Sequence, residues 1–103
     1  MISKRAIVLN IKDNVAVAVE NIQKGEMVNL EVVKGNKFSI QAIEDVPFGF
    51  KIALADIPKG GEVIKHGEVM GSATSSIKAG SLVHVHNVQG RRAQKETEKG
   101  EGL

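Results

Sequence analysis

The chain has 103 residues, of which 42% are hydrophobic and 25% charged, with a formal net charge of +2. These values are those of one globular domain with a modest core, too small to enclose a deep enzyme cleft. The aromatic residues are three phenylalanines, and there is no cysteine. The first fact argues against a module that stacks nucleic-acid bases, and the second excludes disulfides, thiolate metal sites and cysteine nucleophiles.

The N-terminal apolar stretch, residues 6–9, is short and is followed by Asn10 and Lys12. It is too short for the apolar region of a signal peptide, and no run in the chain approaches membrane-spanning length. We therefore expect a cytoplasmic protein with neither a membrane nor a nucleic acid as partner.

Residues 7–11 and 15–19 are rich in β-branched side chains and predict the first two strands, with Asp13 and Asn14 as the turn between them. The second segment alternates valine with alanine, which is typical of a strand that is covered on both faces.

Further strands are predicted where apolar residues alternate, in residues 37–43 after a turn at Gly35 and Asn36, and again in 50–54. In 50–54 the alternation puts Lys51 on the face opposite the core. Residues 82–88 are predicted to form the last strand. Because no segment has helical periodicity over ten residues, the predicted fold class is all-β.

An imperfect eight-residue repeat separates these strands. Its copies are the corners, numbered here in chain order: corner 1 (21–28), corner 2 (45–52), corner 3 (56–63) and corner 4 (76–83). Each has a capping residue, a branched apolar residue, two turn-compatible residues and then a glycine. This pattern predicts one helical turn with its own cap, a core-directed isoleucine or valine, and a reversal into a strand. The irregular spacing excludes a solenoid.

The domain is predicted to span residues 1–90. Residues 91–103 are charged and nearly free of apolar side chains, so they cannot offset their ordering entropy by burial. They predict a disordered C-terminal tail, with a tail that orders against a partner as the alternative.

Two of the three histidines lie in the last predicted strand. There the alternation of a strand places His84 and His86 on one face and directs Val83 and Val85 into the core. Asn87 adds an amide. Two imidazoles on one face make half of a metal site or a clamp for a polar substrate, and the other half must come from elsewhere. The competing interpretation is an exposed edge strand with solvated histidines.

Other candidate residues carry weaker signals. His66 lies in a predicted turn, where it is either a third ligand or a surface histidine, and Lys51 and Lys65 either bind a carboxylate or are simply solvated. No complete catalytic constellation is present: the chain lacks a phosphate-cradling glycine loop, a Ser-His-Asp arrangement in a workable order, and paired carboxylates beside a histidine.

The corner repeat resembles the SAF domain, a small β-clip fold. An ordered series of motifs across about residues 5–90 is similar to the N-terminal domain, or separate small subunit, of the altronate/galactarate dehydratase family. The series is DNVAVA (13–18), PFGFKIAL (47–54), VIKHG (63–67), GSAT (71–74) and VHVHN (83–87). The chain departs from the family at Phe50, where histidine is usual, and at His66, where tyrosine is usual, so no family role passes to His66.

The resemblance implies a hydro-lyase that removes a proton next to the carboxylate of a sugar acid and expels a β-hydroxyl, which leaves a 2-keto-3-deoxy acid. It also implies a divalent metal, Fe²⁺ being expected, shared with a large catalytic subunit whose active site this chain lines. His84 and His86 would contact metal or substrate, with metal as the first assignment. The implied substrate contacts are Lys51, Lys65, Asn87, Asp13 and Asn14.

Three alternatives stay open. The small subunit of a sulfolactate sulfo-lyase has similar motifs. A stand-alone SAF module would bind a carbohydrate or a partner without catalysis. A structural assembly factor akin to flagellar chaperones would need export, which the expected absence of a signal peptide disfavours.

Overall fold

The computed structural model describes residues 3–32 and 37–90; the predicted tail at 91–103 and the predicted turn at Gly35 and Asn36 lie outside them. The described part is all-β, which confirms the predicted fold class, and it contains no helix. Its strands are β1 (Lys4–Val8), β2 (Val15–Ala18), β3 (Met27–Val32), β4 (Lys37–Gln41), β5 (Lys51–Ala53), β6 (Glu62–Lys65), β7 (Glu68–Ala73), β8 (Leu82–Val83) and β9 (Val88–Gly90).

The strands form two sheets. The larger sheet has the order β4-β3-β1-β2-β5-β8, and the smaller one has the order β6-β7-β9. β1 and β3 run parallel, whereas the other neighbouring pairs are antiparallel. The sheets meet where the chain before β2 contacts β6, since the N–H of Asn14 donates to the carbonyl of Ile64 at 3.2 Å.

The first strand lies further toward the N-terminus than predicted. β1 pairs with β3 from Lys4 to Val8, and the chain then turns, with the N–H of Asp13 donating to the carbonyl of Asn10 at 2.9 Å. Ile11 is 79% exposed, so the prediction of a strand to residue 11 was wrong. The β-branched residues do not extend the strand because the turn removes them from the ladder.

Two hydrophobic cores lie on opposite faces of β2 and β5. Ala16 and Ile52 belong to the first core, whereas Val15 and Ala53 belong to the second, which lies between the two sheets. The prediction that both faces of β2 are covered is therefore confirmed. Lys51 points away from the first core, as predicted, and toward the side on which the second sheet lies.

The corners are β-turns, so the predicted helical turns are wrong. In each, the fourth turn residue donates its N–H to the carbonyl of the first, over residues 23–26, 47–50, 58–61 and 78–81, at 2.8 to 3.0 Å. The third residue is a glycine with φ between 83° and 91°. No second turn residue has a positive φ in the described chain, so these are type II turns.

Three of the four capping residues serve a different corner from their own. Asn21 in corner 1 accepts a hydrogen bond from the N–H of Phe48 in corner 2 at 2.9 Å, and Asp45 in corner 2 accepts one from Lys24 in corner 1 at 2.8 Å. Asp56 in corner 3 caps Ala79 in corner 4 at 2.9 Å. Corners 1 and 2 thus cap each other, and corners 3 and 4 are joined by the cap of Asp56 and by backbone hydrogen bonds between Ile57 and Ile77.

A buried alanine completes each corner. The turn glycine donates its N–H to the carbonyl of an alanine, and that alanine donates its own N–H to the residue after the glycine, at 2.7 to 2.9 Å throughout. Each alanine lies three residues before a capping residue, so the repeat is Ala-x-x-cap rather than one that begins at the cap. The glycine–alanine pairs are Gly25–Ala42, Gly49–Ala18, Gly60–Ala73 and Gly80–Ala53.

Among residues 3–32 and 37–90 we find no helix with the length and hydrophobicity needed to cross a bilayer.

Candidate functional site

A pocket of about 240 Å³ lies where the two sheets meet. The larger sheet contributes Lys51 from β5 and His84 from the segment after β8, and the smaller sheet contributes apolar side chains. The described lining contains no carboxylate, so the ammonium of Lys51 faces an apolar wall. The lining residues are Lys51, Val63, Met70, His84, Val85, Val88 and Gly90.

Lys51 is the most perturbed ionisable group of this pocket. It is half-buried, and burial lowers its pKa from the ordinary value of 10.5 because a charged ammonium loses hydration; the nearby ammonium of Lys65 lowers the pKa further. The structure therefore brings together two of the predicted substrate contacts. An anion bound at Lys51 would offset this charge repulsion and replace part of the hydration that the ammonium has lost.

His84 is held by an aromatic contact. Its imidazole lies 4.5 Å from the ring of Phe50, measured between centroids, with 52° between the planes. Phe50 itself packs against the first core. Phe50, where the resemblance led us to expect a histidine, thus supports His84 against the core instead of offering a polar group.

The predicted strand over residues 82–88 is wrong. β8 ends at Val83, and His84 begins a turn in which the N–H of Asn87 donates to the carbonyl of His84 at 3.0 Å. Val85 is 79% exposed, so it does not anchor the segment in the core. His86 is exposed on the same turn and lies outside the wall of the pocket. The shared strand face of the two histidines does not exist.

Asn87 is buried and its side chain holds this turn together. Its Oδ1 accepts from the N–H of His84 at 2.9 Å, and its Nδ2 donates to the carbonyl of Leu82 at 2.8 Å. The structure thus gives Asn87 a part in shaping the backbone around His84, and its contact with substrate stays a prediction.

Asp13 and Asn14 lie at the other side of the sheet junction and bind the backbone of β6 and its turn. Asp13 accepts from the N–H groups of His66 and Gly67 at 2.9 and 2.8 Å, and Asn14 accepts from that of Ile64 at 2.8 Å. His66 lies in a turn, as predicted. The side-chain oxygens of Asp13 and Asn14 therefore already accept hydrogen bonds from the backbone. Direct contact of these two residues with the substrate stays a prediction.

The described residues do not by themselves fit a metal ion. His84 and His86 supply two imidazoles, whereas catalytic metal sites usually take three protein ligands. Over residues 3–32 and 37–90 there is no group of three or more His, Cys, Asp or Glu side chains that could hold a metal. Metal binding by the two histidines therefore stays a prediction that requires donors from outside these residues.

Sequence reasoning missed the pocket wall formed by Met70 and Val88. Both lie on the smaller sheet, far along the chain from Lys51, and no local pattern links them to it. The four buried alanines were also missed, although their constant spacing of three residues before each cap was visible in the sequence.

A family model described as the altronate/galactarate dehydratase SAF domain matches residues 4–91. The chain belongs to this family. Its membership accounts for the ordered motifs and confirms the resemblance to a SAF-domain small subunit. The SAF chain is 36% identical over 86 residues to the altronate dehydratase of Bacillus subtilis and 40% identical over 77 residues to that of Escherichia coli.

The SAF chain covers very different shares of its relatives. The matched regions are 84% and 75% of this chain but only 16% and 14% of those two altronate dehydratases. By contrast, the SAF chain is 34% identical over 77 residues to the (2R)-sulfolactate sulfo-lyase subunit alpha of Chromohalobacter salexigens, covering 74% of this chain and 82% of that subunit. The SAF unit therefore occurs both as a small part of a long enzyme and as a subunit of nearly this length.

Proposed function

We propose that this chain is the small subunit of a sugar-acid hydro-lyase and lines the active site of a larger catalytic subunit. The relatives are dehydratases and a sulfo-lyase, which supports membership of a lyase system. The observation that carries the proposal is the half-buried Lys51 in a pocket with an apolar wall and no carboxylate in its described lining, with the ammonium of Lys65 near enough to act on it electrostatically. Such a site favours an organic acid over a neutral sugar.

In the proposed reaction the lysines contact the carboxylate of the substrate. Removal of the neighbouring proton builds negative charge on that carboxylate, and fixed cations stabilise this charge most strongly in a site that excludes water. The described part of this chain contains no complete acid–base constellation, so the groups that abstract the proton and protonate the leaving hydroxyl belong to the large subunit in this proposal.

The small-subunit role is supported by the coverage of the relatives. The sulfo-lyase subunit alpha has nearly the length of this domain, whereas the altronate dehydratases are about six to seven times longer than the region they share with it. A large subunit, supplied as a second chain in the same cytoplasm, would provide the rest of the enzyme. Fe²⁺, expected from the family, would then be held mainly by that subunit.

A sulfo-lyase is the second candidate, favoured by the match to subunit alpha over most of its length. A sulfonate and a carboxylate are both anions that a lysine pair can bind. The pocket is compatible with either, so substrate tests must include both kinds of acid. A stand-alone SAF binding module is the third candidate and would bind an acid without turning it over.

The test begins with affinity capture of the tagged chain from its native cytoplasm, followed by reconstitution with the purified large protein that accompanies it. Altronate, galactarate and sulfolactate are then offered to each protein alone and to the mixture. Turnover that needs both proteins supports the proposal. If sulfolactate is the only one of the three acids that is turned over, the sulfo-lyase is selected. If an acid binds but no mixture turns it over, the stand-alone module is selected.

The matched variants are Lys51→Met and Lys59→Met. Lys59 is exposed on the turn of corner 3, outside the lining of the pocket, so its replacement removes the same charge without touching the site. We expect Lys51→Met to lower kcat/KM for the acid at least tenfold in the reconstituted enzyme, corresponding to about 1.4 kcal/mol. Equal effects of the two variants would reject the lysine pocket as the acid-binding site.

A further inference from the structure

Side chains of the loop between β1 and β2 bind the backbone of the β6–β7 hairpin, 48 to 54 positions further along the chain. Asp13 accepts three backbone hydrogen bonds: from Asn10 at 3.0 Å, from His66 at 2.9 Å and from Gly67 at 2.8 Å. Asp13 is 9% exposed. It thus has the environment of a structural anion rather than that of a solvated surface group.

The hairpin turn that receives Asp13 is left-handed. His66 and Gly67 have φ angles of 56° and 78° between the paired residues Lys65 and Glu68, which is a type I′ turn. A left-handed backbone at a residue with a Cβ costs roughly 1–2 kcal/mol. Successive N–H groups in such a turn form a concavity that binds anions, and the carboxylate of Asp13 occupies it. The charge-assisted bonds offset the cost at His66.

The side-chain amide of Asn14 pairs with the backbone of β6 as a neighbouring strand would. Its side-chain amide accepts from the N–H of Ile64 and donates to the carbonyl of Glu62, both at 2.8 Å. These contacts lie on either side of the β-bulge between Val63 and Ile64. The carbonyl of Asn14 accepts from the N–H of Leu54 at 2.9 Å, directly after β5. Asn14 therefore ties the strand that carries Lys65 to the one that carries Lys51.

We propose that Asp13 and Asn14 are positioning residues that hold Lys65 beside Lys51 and so set the spacing of the cationic pair. The carboxylate fixes the turn directly after Lys65, and the amide fixes the strand that leads to it. The role of the lysine spacing in acid binding rests on the proposed function. The positioning of Lys65 by Asp13 and Asn14 does not, because it exists without a substrate. Asp13 and Asn14, which the resemblance implied to be substrate contacts, would then act by positioning Lys65 and not by binding the acid.

The pKa of Lys51 reports on this arrangement in the chain alone. It is measured by NMR on lysine side chains labelled with ¹³C at the ε position, in the wild type and in Asp13→Asn. We expect the pKa to rise, because a displaced Lys65 no longer destabilises the Lys51 ammonium. Loss of the negative charge at Asp13 would by itself lower this pKa, so the direction separates repositioning from direct electrostatics.

Three further variants make the comparison sharp. Lys65→Met sets the rise expected when the neighbouring charge is gone, and adding Asp13→Asn to it should raise the pKa no further. Asn14→Ala should act like Asp13→Asn without changing any charge. Gln41→Ala removes a neutral bond between a side chain and the backbone carbonyl of Gly25 in corner 1, none of whose residues line the pocket, and should leave the pKa of Lys51 unchanged.

An unchanged or lower pKa of Lys51 in folded Asp13→Asn and Asn14→Ala would overturn the proposal. If both variants fail to fold, amide hydrogen exchange of the wild type decides: the N–H groups of His66 and Gly67 should be protected like those of the β6–β7 ladder, and exchange at the rate of an open turn would overturn it. Failure of the proposed function would give a different result. Lys51→Met would leave turnover of the acid unchanged, while the pKa shifts of Lys51 in Asp13→Asn and Asn14→Ala would still occur.

Discussion

The ring of Phe50 lies against the imidazole of His84, with 4.5 Å between the centroids and 52° between the planes. Such pairs contribute about 0.5–1.5 kcal/mol beyond the area that they bury. Because Phe50 also packs on the first core, it fixes one wall of the pocket to that core.

Phe50→Leu should therefore release His84. We expect the ring-proton chemical shifts of His84 to move toward those of a free imidazole, and the free energy of unfolding to fall by about 1 kcal/mol. NMR and urea denaturation measure the two effects. Phe48→Leu is the control, since Phe48 is 65% exposed. Histidine shifts that stay unchanged in Phe50→Leu would contradict the contact.

Stability should depend on pH through Lys51. Folding lowers its pKa, so between the lowered value and about 10.5 the unfolded chain binds more protons than the folded one. The contribution of Lys51 to the free energy of unfolding therefore rises with pH across this window, and its full penalty is present below the window.

Lys51→Met should remove that penalty. We expect its free energy of unfolding, relative to the wild type, to be greatest near pH 7 and to decrease as the pH approaches 10. Urea denaturation at several pH values measures the difference, with Lys59→Met as the control that removes an exposed lysine outside the pocket. A difference for Lys51→Met that does not vary with pH would show that burial of the charge is unimportant.

The reciprocal caps predict which pairs of mutations are coupled. Asn21→Ala and Asp45→Ala each remove a hydrogen bond worth about 1 kcal/mol. Both bonds stabilise the same pair of corners, so we expect the double variant to depart from additivity. Asn21→Ala combined with Asp56→Ala, which acts in the other pair, should be additive. Chemical denaturation measures both cycles, and equal coupling in the two would argue against the reciprocal arrangement.

Two corner glycines separate backbone strain from steric conflict. Gly49 and Gly80 have φ angles of 85° and 89°, but a Cβ at Gly49 would meet nothing within 4 Å, whereas one at Gly80 would run into the carbonyl oxygen of Gln41. Gly49→Ala should cost about 1–2 kcal/mol. Gly80→Ala should cost clearly more, because backbone must move. Thermal denaturation that gives equal losses would mean that corner 4 yields to the added methyl group.

The corners show how far local pattern reaches. Glycine, the cap and the branched apolar residue correctly placed four chain reversals, because the preference for a positive φ belongs to the glycine itself. The same pattern wrongly predicted that each cap serves its own corner. The N–H group that donates to a capping side chain depends on which other corner lies next to it. A single copy of the repeat does not contain this information.

The histidine segment shows the opposite case. The alternation of residues 82–88 predicts a strand, but a strand persists only where a neighbour offers a ladder. β5 pairs with Leu82 and Val83 alone, and the chain then turns under the side chain of Asn87. Alternation was therefore a poor guide here, and the asparagine at the end was the better signal.

The sequence by itself determined the β class, the family, the positions of the turns and the coverage of both faces of β2, because these follow from backbone preferences and the spacing of apolar residues along a few positions. Only the tertiary structure decided that Lys65 lies near enough to Lys51 to act on its charge, that His84 rests on Phe50 and that Asp13 binds the turn at His66. These contacts join segments of different strands and sheets, and long-range packing, rather than any local preference, brings their side chains together.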